Sequence, residues 1–167
     1  QQSFPKLEGT TWPDFIPYYA LSSGTTSGTT KFIPITREML ASNRKAGFTS
    51  LALFRNAVPD AKIFSGKFFF LGGNTELRTE SNGSRSGDLS AIANIEVTSL
   101  TKPYTFPPRH LAGIADWTVK VRKLAEASAN LHITAISGVP AWIQRLFVIL
   151  KEVTGKSRVA DIWPALR

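Results

Sequence analysis

The chain has 167 residues, 43% hydrophobic and 19% charged, a globular composition that excludes intrinsic disorder. It has no cysteine, which excludes disulfides and thiolate metal sites, and His110 and His132 lack the spacing of metal ligands. A net charge of +8 raises nucleic-acid binding, but the lysines and arginines are scattered and form no long basic run.

Residues 1–14 are polar, with Pro5, Gly9 and Pro13, and read as an irregular lead-in anchored by Trp12 and Phe15. An apolar run, residues 15–21, then enters Ser22-Ser23-Gly24-Thr25-Thr26-Ser27-Gly28-Thr29-Thr30-Lys31, and a second apolar run, residues 32–35, follows at once. Strand, loop and strand, folded as a hairpin, is the simplest reading. Glycines let backbone N–H groups turn toward a ligand, and successive N–H groups form an anion-binding concavity. The Ser and Thr hydroxyls add rotatable donors and Lys31 a full positive charge, so the loop suits the phosphates of a nucleotide. It is not a Walker A loop, because three residues separate Gly24 from Gly28 and Lys31 lies three positions beyond Gly28. The competing reading is a flexible Ser/Thr/Gly linker, yet a linker need not be pinned between apolar runs or end in lysine.

Thr36 is a good helix N-cap, and Leu40, Arg44, Phe48 and Leu51 recur at helical spacing, predicting a helix to Phe54 or Arg55 with an apolar face. Residues 67–71 read as a buried strand ended by Gly72-Gly73, with residues 75–79 as its antiparallel neighbour and residues 81–87 as a surface loop. Asp88 caps a short helix through Ile95, a commoner task for such a residue than acid catalysis. Residues 102–108, with three prolines, form a loop before a long helix over 109–129 with Ile114, Trp117, Val121 and Leu124 on its apolar face. Residues 131–137 read as a buried parallel strand, Gly138-Val139-Pro140 as a turn, 141–153 as a helix closed by Gly155, and 159–163 as a short helix. Strands alternating with helices predict an α/β fold, a mixed sheet with flanking helices and antiparallel pairing near the loop.

The loop from Ser22 to Lys31, continuing into Phe32-Ile33-Pro34-Ile35-Thr36, resembles the phosphate-binding motif of the GH3 family of acyl-acid amido synthetases, often labelled auxin-responsive promoter proteins. Gly87-Asp88-Leu89-Ser90, Ile136-Ser137-Gly138-Val139-Pro140-Ala141-Trp142 and Asp161-Ile162-Trp163-Pro164 look like further landmarks of that family in the same order, so the resemblance spans most of the chain. It implies an adenylate-forming enzyme whose large N-terminal domain contains this segment. A carboxylic acid attacks the α-phosphate of ATP, giving an acyl-adenylate and pyrophosphate, and the amine of an amino acid then attacks the acyl carbon. Ser22, Ser23, Gly24, Thr25, Thr26, Ser27, Gly28 and Lys31 would then hold the β- and γ-phosphates, with Mg²⁺ sharing the charge. Thr26-Ser27 stands where many relatives have Ser-Gly. Arg44 is either a partner for the carboxylate of the acid substrate or a structural arginine paired elsewhere.

The chain begins Gln1-Gln2, and the motifs that hold adenine, ribose and Mg²⁺ in such enzymes are not found in it. It therefore reads as an internal segment, a partial ATP-binding domain that turns over little by itself. No apolar run is long enough to span a membrane and no signal peptide is recognised, so a cytoplasmic location is expected. The alternatives are another adenylate-forming ligase, such as an acyl-CoA synthetase, and a basic module for nucleic acid. The expected partners are the small acid and amino-acid substrates, with no nucleic acid or membrane.

Overall fold

The computed structural model describes residues 12–22, 30–73, 75–96 and 101–166. In chain order the strands are β1 (Tyr18–Leu21), β2 (Phe32–Ile35), β3 (Lys67–Leu71), β4 (Leu77–Thr79), β5 (Arg85–Gly87), β6 (Thr105–Phe106) and β7 (Ile133–Gly138). The helices are α1 (Arg37–Ala57), α2 (Leu89–Ile95), α3 (Arg109–Ala112), α4 (Trp117–Ser128), α5 (Pro140–Thr154) and α6 (Val159–Ile162). The fold is mixed α/β, in two compact units: residues 1–53 with 75–96, and residues 54–74 with 97–167. Among the described residues no helix is long and apolar enough to cross a membrane.

The first unit carries a mixed sheet in the order β2-β1-β5-β4. β1 pairs antiparallel with β2 and parallel with β5, and β4 closes the far edge antiparallel to β5. Side chains alternate between faces along a strand, so Tyr18 and Ala20 share a face with Ile35, the register partner of Tyr18. There they bury together with Ile92 of α2, with Leu40 and Leu77 packed alongside.

Several expectations change here. Residues 85–87, read as part of a surface loop, form a strand paired on both sides, with Ser86 and Gly87 buried. Gly87 is required there, since a Cβ would come within 2.6 Å of the Leu77 side chain and 2.9 Å of the Glu76 carbonyl. The strand expected at 75–79 is shorter and pairs with β5 rather than β3. Phe15, expected to anchor the lead-in, is 41% exposed, while Ile16 beside it is buried; residues 1–11 lie outside the described residues.

α1 starts at the expected cap, with Thr36 Oγ1 accepting the Met39 N–H at 3.2 Å, and runs slightly beyond the predicted end. Its expected apolar face is not buried: α1 contributes no buried residue, Phe48 is 50% exposed, and Leu40 alone of the four face residues packs on the core. α2 begins after Asp88 as predicted, but the Asp88 side chain makes no cap hydrogen bond.

The second unit holds a parallel sheet in the order β6-β3-β7, with β7 parallel to β3 as its apolar run predicts. Phe69 and Leu71 of β3, Val121 and Leu124 of α4, and Leu146 and Leu150 of α5 bury in one core. Trp163 closes it, packed on Phe69 and Phe147, with its indole N–H donating to the Ser128 carbonyl at 2.8 Å. The single helix expected over 109–129 is two. α3 stops at Gly113, and Asp116 caps α4 by accepting the Val119 N–H at 2.8 Å. α5 opens on Pro140 and closes at Gly155 in the left-handed conformation, φ 69°, which glycine adopts without a Cβ penalty.

Lys120 of α4 is 3% exposed, and its ammonium donates to the Gly72 and Gly73 carbonyls at 3.2 and 2.6 Å. Burial holds this ammonium below its ordinary value of 10.5, so the folded chain releases the proton before the unfolded chain does. Between the lowered folded value and 10.5 the unfolded state binds more protons, and stability from this group rises with pH. Urea unfolding across that alkaline range should show this contribution in the wild type and its loss in Lys120→Met. Identical pH profiles for the two would refute it.

Candidate functional site

The antiparallel register of β1 and β2 runs from Tyr18–Ile35 to Leu21–Phe32, bringing Ser22 opposite Lys31 at the end of the hairpin. There the Ser22 N–H donates to the Lys31 carbonyl at 3.0 Å, and the Lys31 N–H donates to Ser22 Oγ at 3.1 Å. The two ends of the hydroxyl-rich loop are clasped, as the flanking apolar runs predict. The Lys31 side chain is exposed to solvent. Ser23, Gly24, Thr25, Thr26, Ser27 and Gly28 lie outside the described residues.

The clasp has a definite place in the sheet. Because β1 and β5 are parallel, with Ala20 beside Gly87, both chains leave the sheet at one edge, β1 at Ser22 and β5 at Asp88. Open α/β sheets bind ligands at the carboxyl ends of their parallel strands. The two ends of the loop, Ser22 and Lys31, thus stand at the side of the sheet where such ligands sit. The clasp itself uses the Ser22 and Lys31 N–H groups, and what it leaves exposed at this edge is the Lys31 ammonium, a donor suited to phosphate oxygens.

Arg44 does not join this group. Its guanidinium lies 3.8 Å from the Glu96 carboxylate, and both side chains are partly exposed. Glu96 also accepts from the Tyr18 hydroxyl at 2.8 Å, while Arg85 donates to that hydroxyl at 2.6 Å and lies over the Tyr18 ring. Burial, then the Glu96 carboxylate, raises the Tyr18 phenol above 10.0, and Arg85 opposes the shift. This cluster sits at the amino-terminal edge of β1 and β5, opposite the clasp. Tyr18, Arg85 and Glu96 went unnoticed in the sequence because only the β1–β5 pairing and the end of α2 bring them together; no local spacing marks them.

The profile of the GH3 family N-terminal domain matches residues 8–120. The chain belongs to the GH3 family. Among solved structures it is similar to the AtGH3.15 acyl acid amido synthetase in complex with 2,4-DB, with a TM-score of 0.60 and 17% identity. That likeness covers 82% of this chain and 24% of the synthetase, so the GH3 chain described here spans about a quarter of that protein's length. No curated protein matches the chain. At this identity the structural likeness establishes the fold, an α/β fold with a mixed sheet and flanking helices.

Proposed function

We propose that this GH3 chain is the phosphate-binding part of an ATP-dependent ligase that activates a carboxylic acid as its acyl-adenylate and passes the acyl group to an amino acid. The observation that carries the reading is the Ser22–Lys31 clasp, which brings together the two ends of a hydroxyl- and glycine-rich stretch at the carboxyl edge of parallel strands. GH3 membership and the fold shared with an acyl acid amido synthetase support it, and favour that class over an acyl-CoA synthetase.

In this reading the polyphosphate of ATP lies against the loop. Backbone N–H groups of Gly24 and Gly28, the hydroxyls of Ser22, Ser23, Thr25, Thr26 and Ser27, and the Lys31 ammonium spread the charge that develops on the departing pyrophosphate. Preorganised donors aimed at developing charge are commonly the largest catalytic contribution, and phosphoryl chemistry asks little else of the protein. Mg²⁺ bound with the nucleotide would neutralise part of the same charge. Arg44 is paired with Glu96 at the opposite end of β1 from the clasp, and this reading gives it that structural role.

The test is acid-dependent ATP–pyrophosphate exchange by the complete gene product. The Ser23→Ala/Thr25→Ala double variant should lose exchange while unfolding at the wild-type urea concentration. Exchange at the wild-type rate in that variant would reject the assignment.

A further inference from the structure

Asn82 and Gly83 stand at the tip of the β4–β5 hairpin, a dipeptide with a chemistry of its own. The backbone nitrogen of the residue after an asparagine can attack the side-chain carboxamide, and glycine, with no side chain, obstructs that attack least. A bond forms between the Gly83 nitrogen and Asn82 Cγ, the bond from Cγ to the amide nitrogen breaks, and ammonia leaves with the Gly83 amide proton. The product is a five-membered imide. Water then opens it at either carbonyl, giving aspartate or, with the main chain rerouted through the side chain, isoaspartate.

The folded hairpin opposes each part of this step. The Glu80 N–H donates to the Ser84 carbonyl at 2.8 Å and the Gly83 N–H to the Glu80 carbonyl at 3.0 Å, closing a three-residue loop in which Gly83 has φ 84°. The loop length and the left-handed glycine are those of a type I turn closed by a bulge. Such a turn sets the Gly83 nitrogen toward the Asn82 nitrogen and away from the Cβ branch that carries the carboxamide. The proton that must leave the nucleophile is held by the Glu80 carbonyl. The carboxamide is held as well: Asn82 Oδ1 accepts from the Ser84 N–H at 3.1 Å and from Ser84 Oγ at 2.6 Å, and Ser84 is fully buried. Nucleophile and electrophile are neighbours in sequence, yet each is tied to a different partner, and they meet when the hairpin opens.

We propose that Asn82-Gly83 is a site of spontaneous deamidation gated by opening of the β4–β5 hairpin, a covalent record of how often that hairpin opens. Isoaspartate adds a carbon to the main chain inside a loop whose closing hydrogen bonds flank the Thr79–Arg85 pair, so the change reaches β5, the strand that leaves the sheet beside the clasp. The inference does not rest on the ATP reading. The complete gene product is incubated in mildly alkaline buffer, native and in urea, and the tryptic peptide from Thr79 to Arg85 is quantified by mass spectrometry, with chromatography separating the two acids. Conversion to both acids should be faster in urea than in the native protein by about tenfold or more, since only the open hairpin reacts. Ser84→Ala removes one of the two donors to Oδ1 and should speed native conversion about fivefold, the worth of one hydrogen bond, without changing the rate in urea. The wild-type comparison decides the matter even where that variant fails to fold. Native conversion as fast as in urea, no conversion in either, aspartate without isoaspartate, or an unchanged native rate in folded Ser84→Ala would each overturn the proposal.

Discussion

Replacing Lys31 with alanine in the complete gene product is expected to lower kcat/KM for ATP–pyrophosphate exchange about a hundredfold, the cost typical of removing one donor from a preorganised charge-stabilising site. The side chain is exposed, so its loss leaves no cavity. The hydrogen bonds that close the hairpin are made by the Lys31 backbone and by Ser22, and alanine retains them. The change therefore removes one ammonium and little else. Lys31→Arg restores charge but not the compact, point-like geometry of the amine, and should recover activity only in part. Wild-type exchange in Lys31→Ala would detach the ammonium from the phosphates and leave the ligase reading to family membership.

Gly66→Ala should be among the most destabilising single substitutions in the second unit, by about 3 kcal/mol, the upper end for an overpacked site. A Cβ there would lie 2.2 Å from the His132 carbonyl oxygen, 2.5 Å from His132 Cδ2 and 2.8 Å from Thr134 Cγ2. The backbone at Gly66, φ −142° and ψ −151°, is extended and open to any residue, so the cost is one of contact and not of conformation. Nor can the carbonyl retreat freely, because it accepts the Lys67 N–H that opens the pairing of β3 with β7. Gly47 is the control. A Cβ there meets nothing within 4 Å inside α1, and Gly47→Ala should be neutral or stabilising by up to about 1 kcal/mol. Urea unfolding of both variants decides the matter; a Gly66→Ala protein as stable as the wild type would show that the strand entrance can open.

Where the sequence was legible, a local physical signal stood behind it. Apolar runs either side of the Ser/Thr/Gly loop specify a hairpin, and the Ser22–Lys31 clasp is where that pattern places it. The strands β3 and β7, the Pro140 start and the Gly155 stop follow from apolar runs and from residues with restricted or permissive backbones, though β7 is buried only at Ile133 and Thr134. Family likeness was legible in the same stretch, because the residues of the motif are contiguous. What escaped detection depends on distant partners. Arg85-Ser86-Gly87 has no strand-forming residue, and it is held extended by β1 on one side and β4 on the other. The break between α3 and α4 had its signals, Gly113 and the Asp116 cap, but the apolar spacing from Ile114 to Leu124 masked them. The partner of Arg44 could not be read at all, since Glu96 belongs to another helix end.

The length of β1 sets a scale for the chemistry at its two ends. From Tyr18 to Ser22 is four steps along a strand, about 13 Å at roughly 3.3 Å per residue. That exceeds the screening length of about 8 Å in physiological salt, so exposed charges at the two ends scarcely feel one another. No small anion is long enough to touch both the Lys31 end and the Arg44 end. The strand works as a ruler, keeping the Lys31 ammonium and the Arg44–Glu96 pair as separate charges that mutation can vary one at a time.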